Sequence, residues 1–157
     1  MRMLFLDFDG VLHPLGLIPA EGETVNGKPR VKPVPVEFFC WVPLLAEILA
    51  DHPDVGLASH TSWRDSHSGE ALGAYLGDLQ ARHKGATCAG DKLASIQAWL
   101  AIHPEVTDYL ILDDVPMGGP DEVPELLLCH YQKGVSCPEV QRELRAWLKA
   151  TKPADKR

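Results

Sequence analysis

Apolar and polar positions along this chain switch between two periods. Met3 to Leu6 is an unbroken apolar tetrad, the pattern of a central parallel strand covered on both faces. Val55 to Ala58, Tyr109 to Leu112 and Leu126 to Cys129 read as further strands. Between them the spacing becomes helical. Leu44, Leu45, Ile48 and Leu49 follow Pro43, which suits a helix's first turn, and this run stops at His52-Pro53. A glycine-interrupted helical patch covers about residues 68–79. Leu93, Ile96 and Leu100, with Trp99 as a further candidate, recur at helical spacing after Gly90-Asp91-Lys92. Val140, Leu144, Trp147 and Leu148 do so after Pro138-Glu139. Strands alternating with helices predict an α/β fold: a three-layer, Rossmann-like parallel sheet with helices on both faces.

One segment breaks the alternation. Two loosely alternating stretches meet at Asn26-Gly27, a strong hairpin signal, within an insert at about residues 13–35. The insert carries Lys28, Arg30 and Lys32, a local positive cluster in a chain whose formal net charge is −7. That balance argues against broad nucleic-acid binding, which calls for a positive field. The cluster suits an anionic substrate, or equally a solvated edge hairpin protected from aggregation. The 157 residues make one domain over residues 1–150 with a polar tail at 151–157, and leave no room for a second catalytic domain. No stretch reads as a membrane span or a signal peptide, so a cytoplasmic protein without membrane contact is expected. Cys40, Cys88, Cys129 and Cys137 lack zinc spacing and read as reduced, scattered thiols.

The strand ends carry the chemistry. Asp7 and Asp9 follow the first tetrad, and carboxylates at i and i+2 of an extended segment share a face, where they repel unless a cation or shared proton intervenes. Gly10 then lets the backbone turn and approach a ligand. Asp113-Asp114 ends the Tyr109 strand, and two acid-capped strands in one small domain suggest a single divalent-cation site. Taken singly, such residues also serve as turns and helix caps. Ser59-His60-Thr61-Ser62 follows the Val55 strand, and Lys92 opens a helix.

The order Asp-x-Asp-Gly, Ser/Thr, Lys, Asp-Asp resembles the haloacid dehalogenase (HAD) superfamily of phosphohydrolases over residues 1 to about 150. DFDGVL is a highly specific match and LILDD a moderately specific one. More narrowly, the short chain and Thr61-Ser62-Trp63 look like the small bacterial members without a large cap, some of which are associated with RNA-repair proteins. The resemblance implies a Mg²⁺-dependent phosphomonoester hydrolase. Asp7 would be the nucleophile that forms an aspartyl-phosphate, and Asp9 the general acid and base. Mg²⁺ would be held by Asp7, by the main-chain carbonyl of Asp9, and by Asp113 and Asp114, with Asp114 binding directly or through water. Thr61 and Lys92 would bind the phosphoryl group and Gly10, Ser62 and Arg64 would line the substrate site, with Ser59 the competitor for the role of Thr61. In the superfamily the insert's position holds a flap over the active site. His13 and His60 flank the motifs as candidate leaving-group contacts or supporting residues, and Trp63 is a candidate substrate platform or a packing residue.

An open site of this kind would admit a phosphorylated small molecule or a nucleic-acid end, with no obligatory protein partner evident. Two rivals belong to other classes. A phosphoacceptor receiver domain uses similar residues, but it places its acid pair first and a lone acceptor Asp on a later strand. A catalytically silent binding module on the same fold would have no need of the motif residues.

Overall fold

In the computed structural model, which describes residues 1–119 and 121–154, the first strand β1 (Arg2–Leu6) is buried along its whole length. Its side chains divide between two cores, Leu4 and Leu6 entering one and Met3 and Phe5 the other, as the two-residue period of a strand requires. The chain continues through β2 (Leu17–Val25), β3 (Lys28–Pro33), α1 (Val42–Leu49), β4 (Val55–Ser59), α2 (Gly69–Ala74), β5 (His83–Ala86), α3 (Lys92–Ile102), β6 (Asp108–Asp113), β7 (Leu126–Leu128) and α4 (Pro138–Ala150). Five strands form one parallel sheet in the order β5-β4-β1-β6-β7, with β1 at its centre. From α1 and α4, Leu45, Leu49, Leu144 and Leu148 fill the core that holds Leu4 and Leu6. From α3, Ile96 and Trp99 fill the other. Helices therefore cover both faces, and no large cap is inserted among the described residues.

Two elements depart from the sequence reading. β5 was not anticipated, because His-Lys-Gly-Ala lacks an apolar run, and an edge strand paired on one side needs none. The helical patch after Ser68 also ends early. It stops at Ala74, and a 3₁₀ segment takes over from Gly77, whose φ of +52° cannot continue an α-helix.

The hairpin forms as a separate two-stranded antiparallel ribbon. Asn26 and Gly27 both have positive φ, 52° and 75°, the type I′ geometry that this pair of residues favours. Both strands are largely exposed, and Arg30 reaches Glu23 of the facing strand at 3.4 Å. Acids on β2 thus dilute the positive cluster on β3. All four cysteines are free, and no described helix is long and apolar enough to cross a membrane. The last residues of the polar tail, 155–157, lie outside the described residues.

The amino end of the sheet is tied by one buried cation. Arg2 is 1% exposed and grips Asp54 through two bonds of 2.7 Å, while a further N–H donates to the Leu148 carbonyl at 2.7 Å. Its guanidinium also lies 5.8 Å from the Trp147 ring. One side chain therefore links β1, the β4 approach and the end of α4. Losing a buried partner costs about 3–5 kcal/mol where the remaining charge stays buried. Asp54 keeps a third of its side chain in solvent and can rehydrate, so Arg2→Met is predicted to lower the unfolding free energy by about 2–3 kcal/mol. Arg2→Lys should recover only part of that, lacking the planar fork, as urea denaturation of the three proteins will show.

Candidate active site

Register builds the site. Leu6 pairs with Ser59 of β4 on one side and Leu112 of β6 on the other, so the next residues, Asp7, His60 and Asp113, emerge level at the carboxyl edge of the sheet. The Asp7 N–H donates to the Leu112 carbonyl at 3.0 Å and the His60 N–H to the Leu6 carbonyl at 2.7 Å. Open parallel sheets bind ligands at this edge. Lys92 arrives from the first turn of α3, whose start is fixed by Asp91 accepting from the Ala94 N–H at 2.9 Å.

Asp7, Asp113 and Asp114 each offer a carboxylate oxygen, all within 4.8 Å of one another. One Asp7 oxygen accepts from the Phe8 N–H at 2.8 Å, and the other faces the Lys92 ammonium at 3.4 Å. Asp113, fully buried, accepts from Lys92 at 2.5 Å and from the Val115 N–H at 3.0 Å. Three carboxylates thus share one ammonium. At that spacing each ionised pair repels by about 3–4 kcal/mol for an effective dielectric of about 20. Burial, followed by the charge of Asp113, pushes Asp7 up to about 8 against the pull of Lys92. Burial also raises Asp114, helped by Asp113 and opposed by a hydrogen bond with Asp7. For Lys92 burial alone would lower the value, yet the Asp7 and Asp113 carboxylates outweigh it and the result is raised. An oxygen-only donor set, buried and short of positive charge, fits a hard divalent cation such as Mg²⁺. Gly10, at φ +77°, completes the cradle, since a Cβ there would run into the Asp114 carboxylate.

The Asp9 carboxylate is turned elsewhere. One oxygen accepts from His13 Nε2 at 2.8 Å and the other from the Trp63 indole N–H at 2.9 Å. The Phe39 N–H donates to His13 Nδ1 at 3.1 Å, so the ring proton sits on Nε2, facing Asp9. The His13 bond, then the Trp63 bond, holds the Asp9 carboxyl below the usual range despite partial burial. Only the main-chain carbonyl of Asp9 remains for the metal role that the resemblance implies.

Thr61 lies just beyond β4, fully buried, and its hydroxyl accepts from the Trp63 N–H at 3.3 Å to cap a 3₁₀ turn, Ser62–Asp65. Ser59 is instead engaged with His83 at 2.7 Å. Arg64 donates to the carbonyls of Gly90 at 3.0 Å and Thr61 at 3.4 Å, joining the two loops. His60 is buried against Thr87 at 2.7 Å, and burial, aided by Arg64 and Lys92, pushes it down to about 4, so it is neutral. The structure therefore gathers Asp7, Asp113, Asp114 and Lys92, and sets Asp9 in a separate hydrogen-bonded niche. The sequence reading missed the hold of His13 and Trp63 on Asp9. The fourfold spacing from Asp9 to His13 is a contact signal only on a helix, and the Trp63 contact crosses 54 positions.

A family model described as the HAD domain in Swiss Army Knife RNA repair proteins matches residues 3–140. The chain belongs to this family. No curated protein and no solved structure matched the chain significantly. Asp7, Asp9, Thr61, Lys92, Asp113 and Asp114 fall inside the matched span, as does the five-stranded sheet apart from Arg2. Membership in a HAD family sets the receiver-domain reading aside and gives the chain a phosphohydrolase-like character.

In this HAD site the raised Asp7 value has a definite consequence for stability. Without metal, Asp7 keeps its proton up to about pH 8 when folded, against about 3.8 otherwise. The folded state then binds more protons across that window, so stability is predicted to fall as pH rises through it, the reverse of an ordinary salt-bridged carboxylate. Thermal unfolding in chelator should show a lower midpoint at pH 8 than at pH 6. The slope should shrink in Asp7→Asn, and in wild type when Mg²⁺ is added.

Proposed function

We propose that the protein is a Mg²⁺-dependent phosphatase that hydrolyses the phosphomonoester at a nucleic-acid end through a phosphoaspartate on Asp7. The observation that supports it best is the convergence of a buried Asp7 with Asp113, Asp114 and Lys92 at the carboxyl ends of β1 and β6. The Phe8 N–H pins one oxygen of Asp7, leaving the other for in-line attack on phosphorus. The phosphorus–oxygen bond to the leaving alcohol breaks as the new one forms, and Asp9 gives that alcohol its proton. Asp9 takes up this proton as the phosphate dianion enters, because a second negative charge nearby favours its neutral form. A water then attacks the phosphoaspartate, Asp9 accepts its proton, and inorganic phosphate and free Asp7 result.

Mg²⁺ held by Asp7, Asp113, Asp114 and the Asp9 carbonyl would offset the charge between carboxylate and phosphate. Lys92 does part of the same work from the protein side. The Thr61 hydroxyl, with the loop of Gly10, Ser62 and Arg64, positions the phosphoryl oxygens. The family's description, which names RNA repair proteins, and a sheet edge that no large cap covers among the described residues, support a nucleic-acid end as substrate. Four unpaired thiols suit a reducing, cytoplasmic setting.

Initial rates on a panel of nucleotides, sugar phosphates and oligonucleotides phosphorylated at the 3′ or 5′ end, with and without Mg²⁺, test the reading. Turnover should require Mg²⁺ and favour the oligonucleotide ends. Asp7→Asn should lower kcat by at least about a thousandfold without loss of fold. Wild-type-like activity in a folded Asp7→Asn would contradict the mechanism.

A further inference from the structure

The niche that holds Asp9 opens outward onto an unusual run of aromatic side chains. Trp63 touches Asp9 through the N–H edge of its indole. Beyond it stand Phe38 at 5.9 Å, Phe39 at 5.5 Å and Tyr75 at 5.5 Å, all edge-on, and His67 more nearly parallel at 5.6 Å. Phe38 also sits edge-on to His13 at 5.1 Å. Two of these rings project into solvent, with Phe38 62% and Tyr75 43% exposed. Beside them Ser62, Trp63, Ser66 and His67 line a shallow cavity of about 440 Å³. A core needs no exposed phenylalanine, and the buried partners of Trp63 already account for its packing.

We propose that this aromatic wall is a subsite for the terminal nucleobase of the substrate, a deepening that rests on the phosphatase reading above. Asp9 gives its proton to the leaving oxygen, so the leaving alcohol lies on the Trp63 side of the site. Whatever that alcohol carries comes to rest against these rings. A plain sugar gains little there, whereas any nucleobase gains a stack on its π-face, and hydroxyls and imidazole at the cavity's edge meet its polar rim. Distance separates a nucleobase from the other aromatic candidate, a phosphotyrosyl side chain. In phosphotyrosine the ring carries the ester oxygen directly and must sit against Asp9 itself, short of the exposed rings. The exposed rings lie one side chain further out, and in a nucleotide the sugar spans that step. Recognition of this kind is tolerant of sequence, because every base presents a π-face.

The test is binding, measured apart from turnover. Asp7→Asn protein in Mg²⁺ is titrated calorimetrically with a short oligonucleotide phosphorylated on its terminal nucleotide, with the same strand ending in an abasic phosphorylated sugar, and with a phosphotyrosyl peptide. The base-bearing end should bind at least about fivefold more tightly than the abasic one. Adding Phe38→Ala should remove most of that ratio, and Phe38→Trp should restore it. Phe38 is mostly in solvent, so neither change empties the core. Equal binding of base-bearing and abasic ends overturns the subsite, as does tightest binding of the phosphotyrosyl peptide. If the base preference appears while the wild-type protein hydrolyses none of the ends, the subsite stands and the phosphatase reading falls.

Discussion

Three carboxylates and a single ammonium occupy the carboxyl edge of β1 and β6, and most of the architecture is arranged around that imbalance. The apolar faces of β1 bury its end from both sides, which removes the water that would otherwise screen Asp7 and Asp113. Lys92 approaches from α3 and reaches two of the three acids, leaving net negative charge in a site of low dielectric. Such a site must take up a proton or a cation. The same deficit suits the cluster to a hard cation, and the Gly10 turn is what lets Asp114 join it.

Asp9 is two residues from Asp7 and lives in a different environment. Two donors hold its carboxylate, one from the loop at His13 and one from the Trp63 indole, and aromatic rings replace acids as its neighbours. Paired carboxylates whose surroundings push them in opposite directions are suited to different tasks. Burial and like charges push Asp7 toward its neutral form, while hydrogen bonds from His13 and Trp63 hold Asp9 toward its ionised form. In the proposed reaction the acidic side of the site would face the phosphoryl group and the aromatic side the leaving alcohol.

The alternation of apolar runs and helical spacing made the parallel sheet legible, because central strands buried on both faces must be apolar throughout. The DFDGVL and LILDD strand ends were legible for the converse reason: charge at the end of such a run has no packing role. β5 was not, since an edge strand carries no two-sided pattern, and its His-Lys-Gly-Ala resembles a turn. The aromatic wall was hidden more deeply. Phe38 comes from the loop before α1, Trp63 and His67 from the segment after β4, and Tyr75 from the end of α2, and tertiary packing brings the three stretches together. The charge of the hairpin was legible only in part, since strand pairing brings Glu23 to Arg30.

The central claim is that Asp7 carries the phosphoryl group during turnover. It is tested most directly by acid-quenching the protein during steady-state hydrolysis with Mg²⁺, reducing with borohydride, and sequencing the peptides by mass spectrometry. The account predicts homoserine at position 7, formed from the phosphoaspartate, and nothing at Asp9, Asp113 or Asp114. Continued turnover with an unmodified Asp7 peptide, or the modification at another acid, would contradict it.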